Sequence, residues 1–584
     1  MTDPTLQHPP LQSCRRAQLN TGRSSRRRFL GAAGATALTG TRLTFPSASA
    51  QTPVGSDGTH GGYTRRSGDE IVEETSVAEL RTALDNQEFS IADVVEASLA
   101  RIEGLDQQGP SLNAMIEVNP DAMDIAETLD EELRAGRVRG PLHGIPVVLK
   151  DIFATADSML TTTGSLALME NQAIADAFIV QQMRDAGMVI LGKGNLSEWS
   201  NYRGNGLPNG WSSRGGQTVN PYVTSYNAWG SSTGPSVSVA ASYTPLAVGA
   251  ETDGSIICPA SASGVVGLKP TVGLVSRQGS IGISFSQDSP GPIGRSVKDV
   301  AYLLEVLAGY DPEDMAYGEL GTSFPWSTFP EFPVPDPGSR SYVKGLDSAG
   351  LEGVRVGVVR SFFGFDPVAD IHADDAIRAM GEAGAEIVDD LYMETYAEFY
   401  DGIGEGNVMA AEFTFGLHDF LTTYMPDGPM RTIDDIVDFY WAHPEETQFW
   451  GEGDGLLLAQ RMSPDSIYEP WYIDQLALNH SLTREQGIDL LMDENDLDVL
   501  VAPSCAIATD LYSGDFTGSS TQAAAMAGYP SLTMPVGYEN GLPAGIHLFG
   551  RAYSERKILR YAYALEQELN IRRAPSYLAE VPWE

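Results

Sequence analysis

Three residues of this chain have the chemistry and the setting for acyl transfer: Lys150, Ser231 and Ser255. The stretch from Trp229 to Leu268 reads WGSSTGPSVSVAASYTPLAVGAETDGSIICPASASGVVGL, in which two serine-containing turns, each beside glycine, flank a small-residue segment. Upstream, Lys150 closes the apolar run GIPVVLK. A lysine and two serines with no histidine nearby point to an acyl-transfer site whose base is an amine. Such a lysine must give up its proton far below a free value of about 10.4, and burial does this by penalising the charged form. Val147, Val148 and Leu149 make apolar surroundings the expectation.

The elements that must hold these residues can be read around them. Ser76 to Glu79 is a capping box before LRTAL, and Ser90 to Asp93 opens VVEASLARIEGL with apolar residues at helical spacing. From Pro141 to about Tyr310, short β-like runs alternate with helical ones. IPVVL, MVILG, PLAVG and VVGL read as buried strands; DAFIVQQMRDAG and VKDVAYLLEVLAG read as helices. VRVGVV, LDVLVAPS and PSLTMPVG resume the strands, and ERKILRYAYALEQEL reads as a last helix. The alternation predicts an α/β sheet covered by helices, and no linker clearly splits the chain. Residues 311–340, with six prolines, read as an irregular surface excursion, and 395–490 as aromatic, acidic and mostly helical.

Composition narrows the function. Lys plus Arg number 37 against 78 Asp plus Glu, a net charge of -41 over 584 residues. Only six lysines occur, at 150, 193, 269, 298, 344 and 557. Such a surface repels nucleic acid and anionic membranes. The acids are spread along the chain, and their repulsion is screened at molar salt, where the Debye length is about 3 Å, so adaptation to high salt is expected. Eight histidines without paired spacing, and Cys14, Cys258 and Cys505 without a zinc pattern or disulfide framework, disfavour a metal-dependent hydrolase. No metal and no cofactor is expected.

The first fifty residues read as an address. Arg26-Arg27-Arg28-Phe29-Leu30 precedes the apolar GAAGATALTG and then SASA before Gln51, which resembles a twin-arginine export signal. Its apolar run of roughly a dozen residues is short of the ~20 that span a bilayer, so no stable membrane insertion is expected. Without residues 1–50, which carry seven Arg and one Asp, the chain holds 30 basic and 77 acidic residues. Residues 51–68 read as a flexible leader. The expected location is extracellular or in the cell envelope.

Two other motifs compete for the same residues. Gly230-Ser-Ser-Thr-Gly234 matches the G-x-S-x-G elbow with Ser232 as nucleophile, which needs a strand before it and a histidine partner, the best being His547. Pro235 and the weak strand signal before Gly230 argue against it. Gly187 to Gly194, with Lys193, nearly spells a P-loop, but its centre is an apolar strand and the Ser/Thr is missing. Cys258, three residues past Ser255, reads as a buried structural thiol.

Taken together, HGIPVVLKD, the Gly-Ser-Ser turn, TDGSI, GVVGLKPTVGLVSR and GPIGRS, in that order, resemble the amidase signature family over roughly residues 70–580. GLPNGWSSRGGQTVNPY, ETDGSIICPAS and ISFSQDSPGP most resemble its bacterial peptide amidases, which remove the C-terminal amide of peptides. The resemblance implies one large α/β domain over 69–584 with a mixed sheet covered on both faces by helices, in which Ser255 is the nucleophile, Ser231 the bridging serine after a cis peptide bond with Gly230, and Lys150 the base. It places Thr252, Asp253 and Gly254 so that their backbone N–H groups face the oxyanion. Ser232 is a candidate support for Lys150, or a turn residue. The chain departs from the family's Gly-Gly-Ser-Ser-Gly-Gly-Ser at Trp229, Thr233 and Pro235, so Trp229 either narrows the pocket or packs beneath it.

The expected function is hydrolysis of a carboxamide C–N bond in a peptide or small amide. The alternative is a glutamine-hydrolysing protein like the A subunit of the amidotransferases, which would release ammonia from glutamine with the same three residues. A third reading is a binding protein without activity. Trp441, Phe449 and Trp450 are the expected pocket wall. Nothing in the sequence speaks to oligomeric state.

Overall fold

Among the described residues, eleven strands form one sheet. In chain order they are β1 (Met115–Val118), β2 (Pro146–Lys150), β3 (Val189–Gly194), β4 (Leu246–Glu251), β5 (Val266–Lys269), β6 (Ser289–Gly294), β7 (Arg355–Val359), β8 (Glu386–Leu391), β9 (Val499–Pro503), β10 (Ser531–Glu539) and β11 (Leu542–Phe549). The spatial order is β1-β3-β2-β4-β6-β5-β10-β11-β9-β7-β8. The pairs β2–β3, β2–β4, β7–β9 and β7–β8 are parallel, and the remaining pairs antiparallel. The expected mixed sheet with helices packed around it is what forms. This computed structural model describes residues 68–203, 206–314, 341–400, 402–449, 454–511, 513 and 518–582. The twin-arginine-type segment at 1–50, the leader at 51–67 and most of the proline-rich excursion lie outside the described residues. Gly68, read as the leader's last residue, instead opens a short helix, Gly68–Val72.

The strands β2, β3 and β4 are buried along their whole length, which is why their sequences run apolar instead of alternating. Leu149 pairs with Val248, so β2 and β4 end together and bring Lys150 beside Ala250 and Glu251. Residues just beyond the carboxyl ends of parallel strands are where an α/β sheet offers a crevice.

Two helices follow those strands in the region of the site. Thr233–Ala240 begins directly after Ser231 and Ser232, and Ile257–Ala262 directly after the turn that follows β4. Pro235 sits in the first turn of its helix, where a backbone N–H has no intrahelical partner to lose. Both expected capping boxes are formed, Ser76 with Glu79 and Ser90 with Asp93. Further helices, the longest Ile403–Thr423 and Pro470–Thr483, fill most of 395–490. Among the described residues no helix is long and apolar enough to cross a membrane.

Candidate active site

Lys150, at the end of β2, is completely buried. Its Nζ donates to Ser231 Oγ at 2.7 Å and to the Ala250 carbonyl at 3.0 Å. Burial pushes the Lys150 amine down to about 7, with the negative charges of Asp288 and then Glu251 acting in the opposite direction. That displacement from 10.5 corresponds to about 5 kcal/mol of unfavourable environment for the charged form. It places the amine where it exchanges a proton near neutral pH.

Ser231 is also buried, and the Gly230–Ser231 peptide is cis, as the resemblance implies. The Ser231 carbonyl accepts the Ser197 N–H at 3.2 Å. Ser232 does not reach Lys150. Its Oγ accepts the Ala250 N–H at 3.1 Å and donates to the Ala250 carbonyl at 3.1 Å, the carbonyl that Lys150 also uses. Any support it gives Lys150 therefore passes through Ala250. The Ser232 N–H also holds the Ser255 carbonyl at 3.0 Å, which pins the two serine turns together.

The turn Thr252-Asp253-Gly254-Ser255 links β4 to the helix Ile257–Ala262. Glu251 braces it from below, accepting the N–H groups of Ile256 at 2.7 Å and Ile257 at 2.9 Å. The Thr252 hydroxyl donates to Asp288, whose other oxygen accepts the N–H groups of Ile283 at 2.8 Å and Ser284 at 2.9 Å. Gly254 has φ +73, and a Cβ there would stand 3.0 Å from Cys258 Sγ and 3.1 Å from Thr521 Oγ1. Glycine is required both by conformation and by space. Composition and spacing single out neither Glu251 nor Asp288; each is marked only by its place in a motif, ETDGSIICPAS and ISFSQDSPGP respectively.

A cavity opens onto this turn. Ser255, Gly254, Asp253 and Thr252 form one wall; Trp229, Gly230, Asn209, Asn201, Tyr202 and Met409 contribute to the others. In the resting structure no hydrogen bond joins Ser255 Oγ to Ser231 Oγ; Ser255 faces the cavity, and Ser231 faces Lys150. A second, narrow cavity lies beyond Ile283 and Asp288 and is lined by none of Lys150, Ser231 and Ser255. Among the described residues no group of three or more His, Cys, Asp or Glu is placed to hold a metal ion.

Phe449 and Trp441 do not form the expected pocket wall. Phe449 is core, 1% exposed and packed edge-on against Tyr440; Trp441 stands 53% exposed at the surface, and Trp450 lies outside the described residues. Among the described residues of that region, Met409, on the helix Ile403–Thr423, lines the cavity. Trp229 does line the cavity, anchored by its Nε1 to the Ala506 carbonyl at 3.1 Å, and Thr233 Oγ1 donates to the Trp229 carbonyl at 2.6 Å. Two of the departures from the family pattern, Trp229 and Thr233, thus hydrogen-bond around the turn before Ser231.

The competing motifs have structural explanations. No strand leads into Gly230, and His547, on β11, is buried, paired through Nδ1 with Ser520 Oγ at 2.9 Å and pushed down to about 3 by burial. Lys193 is buried on β3, donating to Phe153 O, Thr161 Oγ1 and Leu160 O, so its ammonium is spent inside the protein. The neighbouring Cys505 and burial raise the Cys258 thiol well above its ordinary value, which leaves little thiolate for nucleophilic attack.

A buried lysine bonded to one serine, close to a second serine on a glycine turn that faces a cavity, is an arrangement suited to acyl transfer. The family model for amidases matches residues 93–559, and the chain belongs to the amidase family. It is 36% identical over 515 residues to a probable amidase of Arabidopsis thaliana, covering 87% of this chain and 92% of that one. It is similar in structure to a peptide amidase from Stenotrophomonas maltophilia, at 42% identity and TM-score 0.78, covering 86% of this chain and 99% of that one. The A subunit of a glutamyl-tRNA(Gln) amidotransferase from Methylococcus capsulatus is 32% identical over 532 residues, covering 86% of this chain and 99% of that one.

Proposed function

We propose that this amidase hydrolyses the C-terminal amide of peptides, or a small carboxamide, through an acyl-enzyme on Ser255. The observation that carries this reading is the buried Lys150–Ser231 hydrogen bond of 2.7 Å beside a cavity onto which Ser255 opens. Ser255 Oγ attacks the amide carbonyl while its proton passes through Ser231 to the neutral Lys150. Backbone N–H groups of Thr252, Asp253 and Gly254 receive the oxyanion. The relay returns the proton to the leaving nitrogen, ammonia departs, and water repeats the sequence on the ester.

The second reading, glutamine hydrolysis as in the A subunit of an amidotransferase, draws on the similarity to the Methylococcus protein. Against it stands a cavity whose described lining residues include no Lys, Arg or His to receive the glutamine carboxylate. We also propose that residues 1–50 direct export by a twin-arginine route and that the surplus of acids suits the protein to high salt. Export speaks for an enzyme working apart from tRNA.

The test is ammonia release by the full chain in molar salt from a C-terminally amidated dipeptide and, separately, from glutamine. Release from the peptide amide, lost in Ser255→Ala, supports the proposal. Release from glutamine alone contradicts it.

A further inference from the structure

The carboxyl groups around the cleft are not equivalent. Glu251 is held by two backbone N–H groups, and Asp288 by Thr252 and two more. Glu405 accepts from Gln287 Nε2 at 2.8 Å and Gln522 Nε2 at 2.9 Å. Glu412 is surrounded by Ser284, Ser286 and Tyr472. Each of these ties two segments together, which is a structural use of a buried acid.

Asp253 differs in two respects. It lines the cavity, two residues before Ser255, and it accepts a single hydrogen bond, from Thr521 Oγ1 at 2.7 Å. A carboxylate has about four lone-pair positions, so most of its accepting capacity faces the cavity unused. No Lys, Arg or His is among the described residues that line the cavity with it. Asp253 is half-buried on the cavity wall, so water meets its open side until a substrate brings N–H or ammonium donors to it.

We propose that the Asp253 carboxyl is the specificity-determining group of the cleft: it accepts N–H or ammonium donors of the substrate and turns away amides that carry a carboxylate near the scissile carbonyl. This inference rests on amide hydrolysis at Ser255. A peptide amide offers N–H donors next to its terminal carbonyl, and a cationic side chain adds a charge-assisted bond. A substrate carboxylate meets a second acid and no cation. Burial and then the nearby Glu405 hold Asp253 well above the usual carboxylate range and favour its neutral form; a bound cation draws it to the carboxylate, and a bound anion opposes that ionisation.

The experiment compares N-acetyl-alanyl dipeptide amides ending in lysinamide, glutaminamide and glutamic acid α-amide, at pH 8. The glutamine and glutamate amides are nearly isosteric and differ in charge. In the wild-type chain the glutaminamide is expected to exceed the glutamate amide in kcat/KM by at least ~10-fold, with the lysinamide no worse than the glutaminamide. Asp253→Asn keeps the backbone N–H and the side-chain volume, and is expected to bring the glutamine-to-glutamate ratio to within about threefold. A ratio that Asp253→Asn leaves unchanged overturns the proposal. Should Asp253→Asn not turn over, the same ratio is read from dissociation constants by calorimetry, comparing Ser255→Ala with Ser255→Ala/Asp253→Asn. There, equal discrimination in both proteins overturns it. A wild-type chain that hydrolyses none of the three amides refutes the peptide-amidase reading instead, and the calorimetric comparison still decides the role of Asp253.

Discussion

Lys150 Nζ lies 2.7 Å from Ser231 Oγ, although 81 residues separate the two in the chain and both are fully buried. Burial sets the properties of the pair. It removes the water that would keep the lysine charged, and it leaves the serine hydroxyl as one of two oxygen atoms on which the amine is held.

If Lys150 is the base and Ser255 the nucleophile, Ser255→Ala abolishes ammonia release. Lys150→Ala lowers kcat/KM by at least ~10³-fold, because base and relay are lost together. Near-normal amide hydrolysis by Lys150→Ala contradicts the assignment.

The pH profile follows from the same amine. Burial brings Lys150 down to about 7, and the reaction needs it neutral, so kcat/KM rises with pH through about 7 and levels off above it. A profile flat from pH 6 to 9 contradicts a lysine base.

Asp288 is the larger of the two negative influences on Lys150 and also holds Thr252. Asp288→Asn removes a charge that favours the ammonium form. The acid limb of the pH profile therefore moves to lower pH, and kcat falls roughly 10-fold or more as the turn loosens. A limb displaced upward contradicts this electrostatic arrangement.

Gly254→Ala places a methyl group against Cys258 and Thr521 at a positive φ. The expected loss of stability is roughly 1 kcal/mol or more, read as a lowered midpoint in urea, together with reduced turnover. An unchanged midpoint contradicts the requirement for glycine.

Much of this arrangement is legible in the sequence. Ser76 and Ser90 announce their helices because a capping box is local chemistry, independent of the rest of the fold. The apolar runs that end at Lys150 and Glu251 announce buried strands because parallel strands inside a sheet have no solvent face to encode. What stays hidden is set by neighbours. Strand β6 reads SPGPIG, a composition with little strand preference, yet it pairs on both sides, with Pro290 opposite Ala250 and Pro292 opposite Val248. Tertiary context overrides propensity there. The same β6 begins one residue after Asp288, so a strand hidden from sequence also hides the acid that acts on Lys150. The aromatic residues at 441–450 suggest a pocket wall because a Phe in a core and a Phe in a cleft look alike in sequence; Phe449 packs inward against Tyr440.

The proposed adaptation to salt has its own measurement. With a net charge of -41, the melting temperature of the full chain should rise between low and molar sodium chloride as repulsion is screened. A melting temperature that does not move contradicts the proposal.

The central claim is an acyl-enzyme on Ser255, and the most direct measurement is to trap it. The enzyme is mixed with an N-acyl dipeptide amide, quenched in acid within one turnover, digested and examined by mass spectrometry. The account predicts an acyl adduct on the peptide containing Ser255, absent from Ser255→Ala and depleted in Lys150→Ala. An adduct on Ser232 or Cys258 instead, or steady turnover with no adduct at Ser255 in rapid-quench samples, would contradict it.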